Sequence, residues 1–358
     1  MTHQHGLVPL PEEETGSTSP TLSWRRADPP PAWRLPQLLE PVFDDESTYG
    51  RSWAVAAAHR GALVYERYSG RLDSWGGPGE TVGPDTLLLS WSVAKSVLHA
   101  AVGCLCADGS LSLERTSLHP TWKTDGDPRG LISLGDLLAM RDGLDFVEDY
   151  DVESSRSDVI EMLFGGVEDM GAYAASKPLA APPGSRFNYS SGTSNIVSSA
   201  VADVVGRGEE YRYWLEQHLF GPVGMTSAKP QFDGAGTWIA SSYLRATALD
   251  WLRFGELYLR DGIWGGRHVL PPGWVDLGRR ALSESSEDDR TFYGHHWWSD
   301  PADPTGTFWA DGYEGQTIMV SPGLELVVVR FGKTPPGSNA ISLWRRELVR
   351  CLADRTEP

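Results

Sequence analysis

A serine stands three residues before a lysine at Ser92-Val93-Ala94-Lys95, at the head of the apolar run Val93 to Ala107. The chain holds only five lysines, and Lys95 alone has this partner. In a helix, positions i and i+3 share a face, so the Lys95 amine can lie beside the Ser92 hydroxyl. A serine hydroxyl is a poor nucleophile at neutral pH, and a desolvated neutral lysine can remove its proton. The helix N-terminus adds a positive dipole end and unpaired N–H groups where an oxyanion would form. A four-residue pattern arises readily by chance, so other segments must carry weight beside it.

Two do. Tyr189-Ser190-Ser191 follows the turn Pro182-Pro183-Gly184 and precedes a helix-like run from Asn195. A loop tyrosine there can point into a cleft and relay a proton to a leaving group; alone, it would read as a surface residue. Ala310-Asp311-Gly312-Tyr313-Glu314-Gly315-Gln316 lies on a late strand. Glycines at a strand edge let substrate approach backbone N–H groups; alone, they would read as a bulge.

The elements that must position these groups fall in three parts. Trp53-Ala54-Val55-Ala56 and Ala62-Leu63-Val64-Tyr65, turning at His59-Arg60-Gly61, predict a strand pair. The middle of the chain predicts helices: Leu134 to Met140 after a Ser133 cap, Asn195 to Val205, Glu209 to Leu219, and Ala246 to Arg260. The last third returns to strands at His295 to Trp298, Gln316 to Val320 and Leu324 to Phe331, and ends in a helix from Ser338 to Ala353. Strands at both ends around inserted helices predict an α+β fold, an antiparallel sheet flanked by helices with a mostly helical domain inserted. The expected boundaries are an extended arm over 1–45, a discontinuous sheet domain over 46–100 and 230–358, and the helical domain over 101–229.

Composition excludes several classes. A net charge of −17 and a pI near 4.9 argue against nucleic acid and anionic membranes as partners. Cys104, Cys106 and Cys351 show no metal-ligand spacing and make no disulfide framework. His295-His296 lacks a third ligand and reads as a strand with one ring in and one out. His99 reads as a packing residue. Glu148, Asp149 and Asp151 read as a solvated loop more readily than as a site for a cation. No metal or cofactor is expected. The polar stretch before Trp53 has no apolar leader, so the expected location is cytoplasmic.

The order and spacing of the three signals resemble the serine β-lactamase and penicillin-binding-protein superfamily, in its class C-like, esterase-containing branch. Gly109-Ser110-Leu111-Ser112-Leu113, Arg141-Asp142-Gly143-Leu144, Leu219 to Met225 and Arg245 to Asp250 carry the likeness further. Glu148-Asp149-Tyr150, Trp297-Trp298 and Gly312 to Gln316 resemble the 6-aminohexanoate-dimer hydrolases and related esterases most. The resemblance implies Ser92 as the acylated nucleophile, Lys95 as base and Tyr189 as the third catalytic group. It implies an oxyanion hole from the backbone N–H groups of Ser92 and Tyr313, and substrate contacts from Tyr150, Ser191, Trp298, Gly312 and Gln316. The expected substrate is a small ester or amide; acyl transfer, cyclisation and a non-catalytic binding role remain alternatives, and a homodimer stays open. Where relatives carry Lys-Thr-Gly, this chain has Ala310-Asp311-Gly312, which argues against substrates bearing a carboxylate at that wall. Ser191 stands where many relatives have Asn.

Overall fold

The structure, a computed structural model, describes residues 6–11, 19–73, 79–150, 156–285 and 290–355. Glu12-Glu13-Glu14, Asp151 and part of the Gly/Pro-rich loop before Ser92 lie outside the described residues.

The apolar run at Trp53 to Ala58 does not alternate because both of its faces are covered. It lies in β1 (Arg51–His59), which pairs antiparallel with β2 (Ala62–Tyr68) and, on its other side, with the last strand. Ala54, Ala56 and Ala58 enter one core, while Val55 and Ala57 enter a second core on the opposite face. The hairpin turns at Arg60 and Gly61, whose φ angles of 50° and 70° are the left-handed pair that a two-residue connection requires. Six further strands belong to the same sheet: β3 (Ser283–Glu284), β4 (Phe292–Tyr293), β5 (Trp298–Ser299), β6 (Phe308–Gly312), β7 (Gln316–Ser321) and β8 (Leu326–Lys333). They form one antiparallel sheet in the order β2-β1-β8-β7-β6-β5-β4-β3.

Of four longer helices, three pack on this sheet and one packs on the first of them. The first, α1 (Val93–Ala107), is buried on almost every side, as its all-round apolar sequence demands. It packs against α2 (Ser191–Val205), which starts four residues earlier than its apolar pattern suggests, because the Ser190 hydroxyl accepts from Thr193 N at 3.0 Å and caps it. Helix α3 (Ala248–Leu259) lies across β1, β7 and β8 on the same side. On the other face, α4 (Ala340–Asp354) presents Ile341, Trp344, Leu348 and Leu352 to the second core.

Two expectations need correction. The stretch to residue 45 is not simply an extended arm. Arg26 bridges Leu63 beside β2, and Leu35–Leu39 and Pro41–Asp44 are short helices that bury Leu35, Leu39 and Val42 against the outer face of the sheet. Prolines in the first turn start these helices rather than prevent them, since a first-turn N–H has no helical partner to lose. His295 to Trp298 is not continuous strand: His296 has φ 58°, and β5 begins only at Trp298. Both histidine rings are buried because each places Nδ1 against a backbone carbonyl, His295 on Leu277 O at 3.1 Å and His296 on Lys95 O at 2.8 Å. Among the described residues, no helix is long and apolar enough to cross a membrane.

Candidate active site

Ser92 sits at the N-terminus of α1, just after Trp91, whose φ of 44° is uncommon for a bulky residue and marks a strained elbow. Its hydroxyl does not cap the helix. It lies instead 2.8 Å from Lys95 Nζ, one turn on. Lys95 is 2% exposed, and Nζ also donates to the Ser241 carbonyl at 2.9 Å and to Ser191 Oγ at 3.2 Å. Burial pulls the Lys95 amine down to about 8, against an upward pull from Glu148.

Tyr189 precedes the α2 cap, and its ring centroid lies 4.9 Å from Lys95 Nζ. The ring stacks on Trp298 at 5.6 Å and meets Tyr293 edge-on at 5.8 Å. Trp298 is held from both sides by strand pairing, to Tyr293 on β4 and Trp309 on β6. Strand β6, inside the sheet between β7 and β5, brings Gly312 against the α1 N-terminus. A Cβ there would press into the Ser90 carbonyl and lie 3.2 Å from Ser92 N, so only glycine allows the approach. Tyr313 follows, with its ring stacked on Tyr150 at 4.9 Å and edge-on to Trp91 at 5.6 Å.

These groups line one cleft of about 710 Å³. Ser92, Tyr150, Tyr189, Trp298, Gly312 and Tyr313 form its inner wall. Ser191 lies just behind it, fully buried at the start of α2. The sequence-predicted site residues thus come together, but two of the expected substrate contacts do not line the cleft: buried Ser191 meets Lys95 and Glu148 instead, and Gln316 is turned away. Gln316 is 1% exposed, and its amide is consumed internally. Nε2 donates to Tyr313 O at 2.9 Å and Gly332 O at 2.7 Å, and Oε1 accepts from Gly332 N at 2.9 Å. It cannot contact substrate; it anchors the turn that carries Tyr313.

Sequence reasoning missed three contributors. Glu148, read as part of a solvated run, turns inward. It accepts from Ser191 N at 2.7 Å, from Ser191 Oγ at 2.6 Å and from the Tyr150 hydroxyl at 2.8 Å. Burial, and then Glu148, push the Tyr150 phenol far above its ordinary range. The Ser241 carbonyl carries no sequence signal, because any residue supplies a carbonyl. The third is a cation. The wall at Asp311 was expected to lack one, but Arg345 from α4 reaches it, with nitrogen–oxygen distances of 2.8 and 3.2 Å. Arg346 lines the same outer wall. Helix α4 lies far along the chain from β6, so only the packing reveals the pair.

Residues 45–351 match the Beta-lactamase family, and the chain belongs to that family. It is a β-lactamase-family hydrolase. The 6-aminohexanoate-dimer hydrolase of Paenarthrobacter ureafaciens is 24% identical over 267 residues, which is 70% of this chain and 67% of that protein. A solved Bacillus anthracis structure, provisionally given the same name, superposes with a TM-score of 0.75 at 21% identity, covering 95% of this chain and 91% of the other. A penicillin-binding-protein homologue from Caulobacter crescentus gives 0.68 at 16% identity, covering 92% and 99%. These likenesses establish the fold as that of the penicillin-binding proteins and β-lactamases.

Proposed function

We propose that the protein hydrolyses an ester or amide bond through an acyl-enzyme on Ser92, with Lys95 as the base. The observation that carries this reading is the buried Lys95 amine, 2.8 Å from the Ser92 hydroxyl and lowered to about 8. Ser92 Oγ attacks the substrate carbonyl carbon while its proton passes to Lys95. The oxyanion is received by the backbone N–H groups of Ser92 and Tyr313, which the close approach of Gly312 favours. Tyr189, packed over the Lys95 ammonium, returns the proton to the leaving group. Water then cleaves the acyl-enzyme by the same path in reverse. Tyr150, Tyr189, Trp298 and Tyr313 favour a slim, uncharged acyl chain between aromatic faces. The relative's name, a 6-aminohexanoate-dimer hydrolase, puts short linear ω-amino amides beside simple esters as the first substrates to try.

Ser92→Ala is expected to abolish turnover of p-nitrophenyl butyrate and of a short ω-amino amide, and to remove the fluorophosphonate adduct seen by intact-protein mass spectrometry. Its circular dichroism should match the wild type. An adduct that persists on the variant, or retained turnover, would move the nucleophile elsewhere.

A further inference from the structure

A neutral amine has two N–H groups and one lone pair, and Lys95 Nζ has three polar neighbours. The Ser241 carbonyl can only accept, so it takes one N–H. If Ser191 Oγ takes the second, the lone pair is left facing the Ser92 hydroxyl, which is the arrangement a base requires. Ser191, however, has one hydroxyl hydrogen of its own. Turned toward Lys95, it would occupy the lone pair and compete with Ser92.

Glu148 removes that alternative. Its Oε1 lies 2.6 Å from Ser191 Oγ and takes the hydroxyl hydrogen, leaving Ser191 only able to accept from Lys95. Its Oε2 holds the Ser191 N–H at 2.7 Å, a first-turn donor of α2 that has no helical partner. Tyr150 fixes the same carboxylate from the cleft side at 2.8 Å. We propose that Glu148 is a positioning residue which acts through the Ser191 hydroxyl to turn the Lys95 lone pair toward Ser92, and whose carboxylate also acts on that amine as the nearby negative charge. The inference rests on the reading of Lys95 as the base.

The surroundings of Lys95 leave this role to Glu148. Tyr189 and Ser191 face the amine from α2 and the residue before its cap, with Tyr293 of β4 behind Tyr189 and Tyr150 beside Glu148. His296 approaches from the loop before β5, on the Lys95 carbonyl, and His99 stands one turn along α1. Burial lowers His296 to about 3 and His99 well below its usual value, so both are neutral at working pH. Burial also raises Tyr150 and Tyr293, keeping both phenols protonated. Glu148 is the group whose charge bears on the amine.

The test measures fluorophosphonate acylation and p-nitrophenyl butyrate kcat/KM from pH 5.5 to 10 for the wild type, E148Q, S191A, the double variant and K95R. Losing the carboxylate destabilises the ammonium, so the rising limb of E148Q should move to lower pH by about one unit. Its plateau should fall about tenfold, because the Ser191 hydroxyl is no longer directed. S191A should lose a similar plateau, and the double variant should be no worse than either single one. An E148Q limb that stays in place, or losses that multiply in the double variant, would overturn the inference. If E148Q fails to fold, S191A decides alone, and a wild-type plateau in S191A overturns it. K95R keeps the two failures apart. Active K95R removes the base assignment itself, whereas inert K95R beside an unmoved E148Q profile removes only the role of Glu148.

Discussion

At the scale of the residue, Lys95 illustrates a site that costs the fold stability. Its pKa falls from 10.5 in the open chain to about 8 when folded, because burial penalises the ammonium. Below about pH 8 both states hold the proton, and the penalty, about 3 kcal/mol by linkage, is fully present. Between about 8 and 10.5 the unfolded chain binds more protons than the folded one, so folded stability rises with pH. Above that range the penalty is gone. Lys95→Met should therefore melt at a higher temperature than the wild type at pH 6.5, with the difference shrinking as pH rises toward 10.5. Melting curves across that range check it. A difference that stays constant with pH would mean that the amine is not desolvated in the folded state.

At the scale of the element, the turn between β6 and β7 is pinned from behind. Arg330 of β8, fully buried, donates Nη1 to the Glu314 carbonyl at 3.1 Å and the Gly315 carbonyl at 3.0 Å, and Gln316 holds the Tyr313 carbonyl. Glu314 itself sits at φ 61°, a conformation that such anchors sustain. Gln316→Ala would leave Tyr313 O and both polar groups of Gly332 without these partners. Stability should drop by about 2–4 kcal/mol in a urea titration. If the turn presents the Tyr313 N–H to the oxyanion, kcat should fall about tenfold or more while KM changes little. Lost stability with unchanged kcat would place the oxyanion donors away from this turn.

At the scale of the whole molecule, the outer wall of the cleft is assembled from a strand of the sheet and a helix packed on its face. Strand β6 supplies Asp311, and α4, packed on the far face, supplies Arg345, whose side chain is 4% exposed. Arg345 also donates to Thr317 Oγ1 at 3.2 Å and lies over the Trp309 ring at 4.2 Å. A bidentate pair of this kind is close to neutral as seen from the cleft. A substrate carboxylate would have to displace Asp311 to use the guanidinium. Simple esters should thus exceed nitrocefin in kcat/KM on the wild type, by about tenfold or more. Asp311→Asn should narrow that gap by removing the carboxylate that a substrate anion would have to displace. The same preparation assayed with nitrocefin and p-nitrophenyl acetate and butyrate gives the comparison. Nitrocefin matching both esters on the wild type would show that the pair is no barrier.

The helix of the Ser92 and Lys95 pair, the strand pair at Trp53 to Tyr65 and the α+β order of elements were legible because each rests on local rules. Residues i and i+3 share a helix face, hairpins need left-handed turn residues, and strands buried on both faces read as unbroken apolar runs. Tyr189, Tyr313 and Trp298 were legible through family-like motifs, and the structure brings all three to one cleft. Gln316 fell inside such a motif and was assigned to substrate, yet its role depends on which side of β7 it faces, and one residue of register decides that. Glu148 lies 43 residues from Ser191, Ser241 lies 146 from Lys95, and Arg345 lies 34 from Asp311. No period or spacing links such pairs. They meet because the cap of α2, the loop before α3 and the face of α4 are brought to one cleft by packing on α1 and on the sheet. The close approach of Ser92 and Lys95 is thus a property of one helical turn, whereas the charge state of that amine and the sign of the cleft's outer wall belong to the tertiary structure, because desolvation and ion pairing exist only once the chain has closed around them.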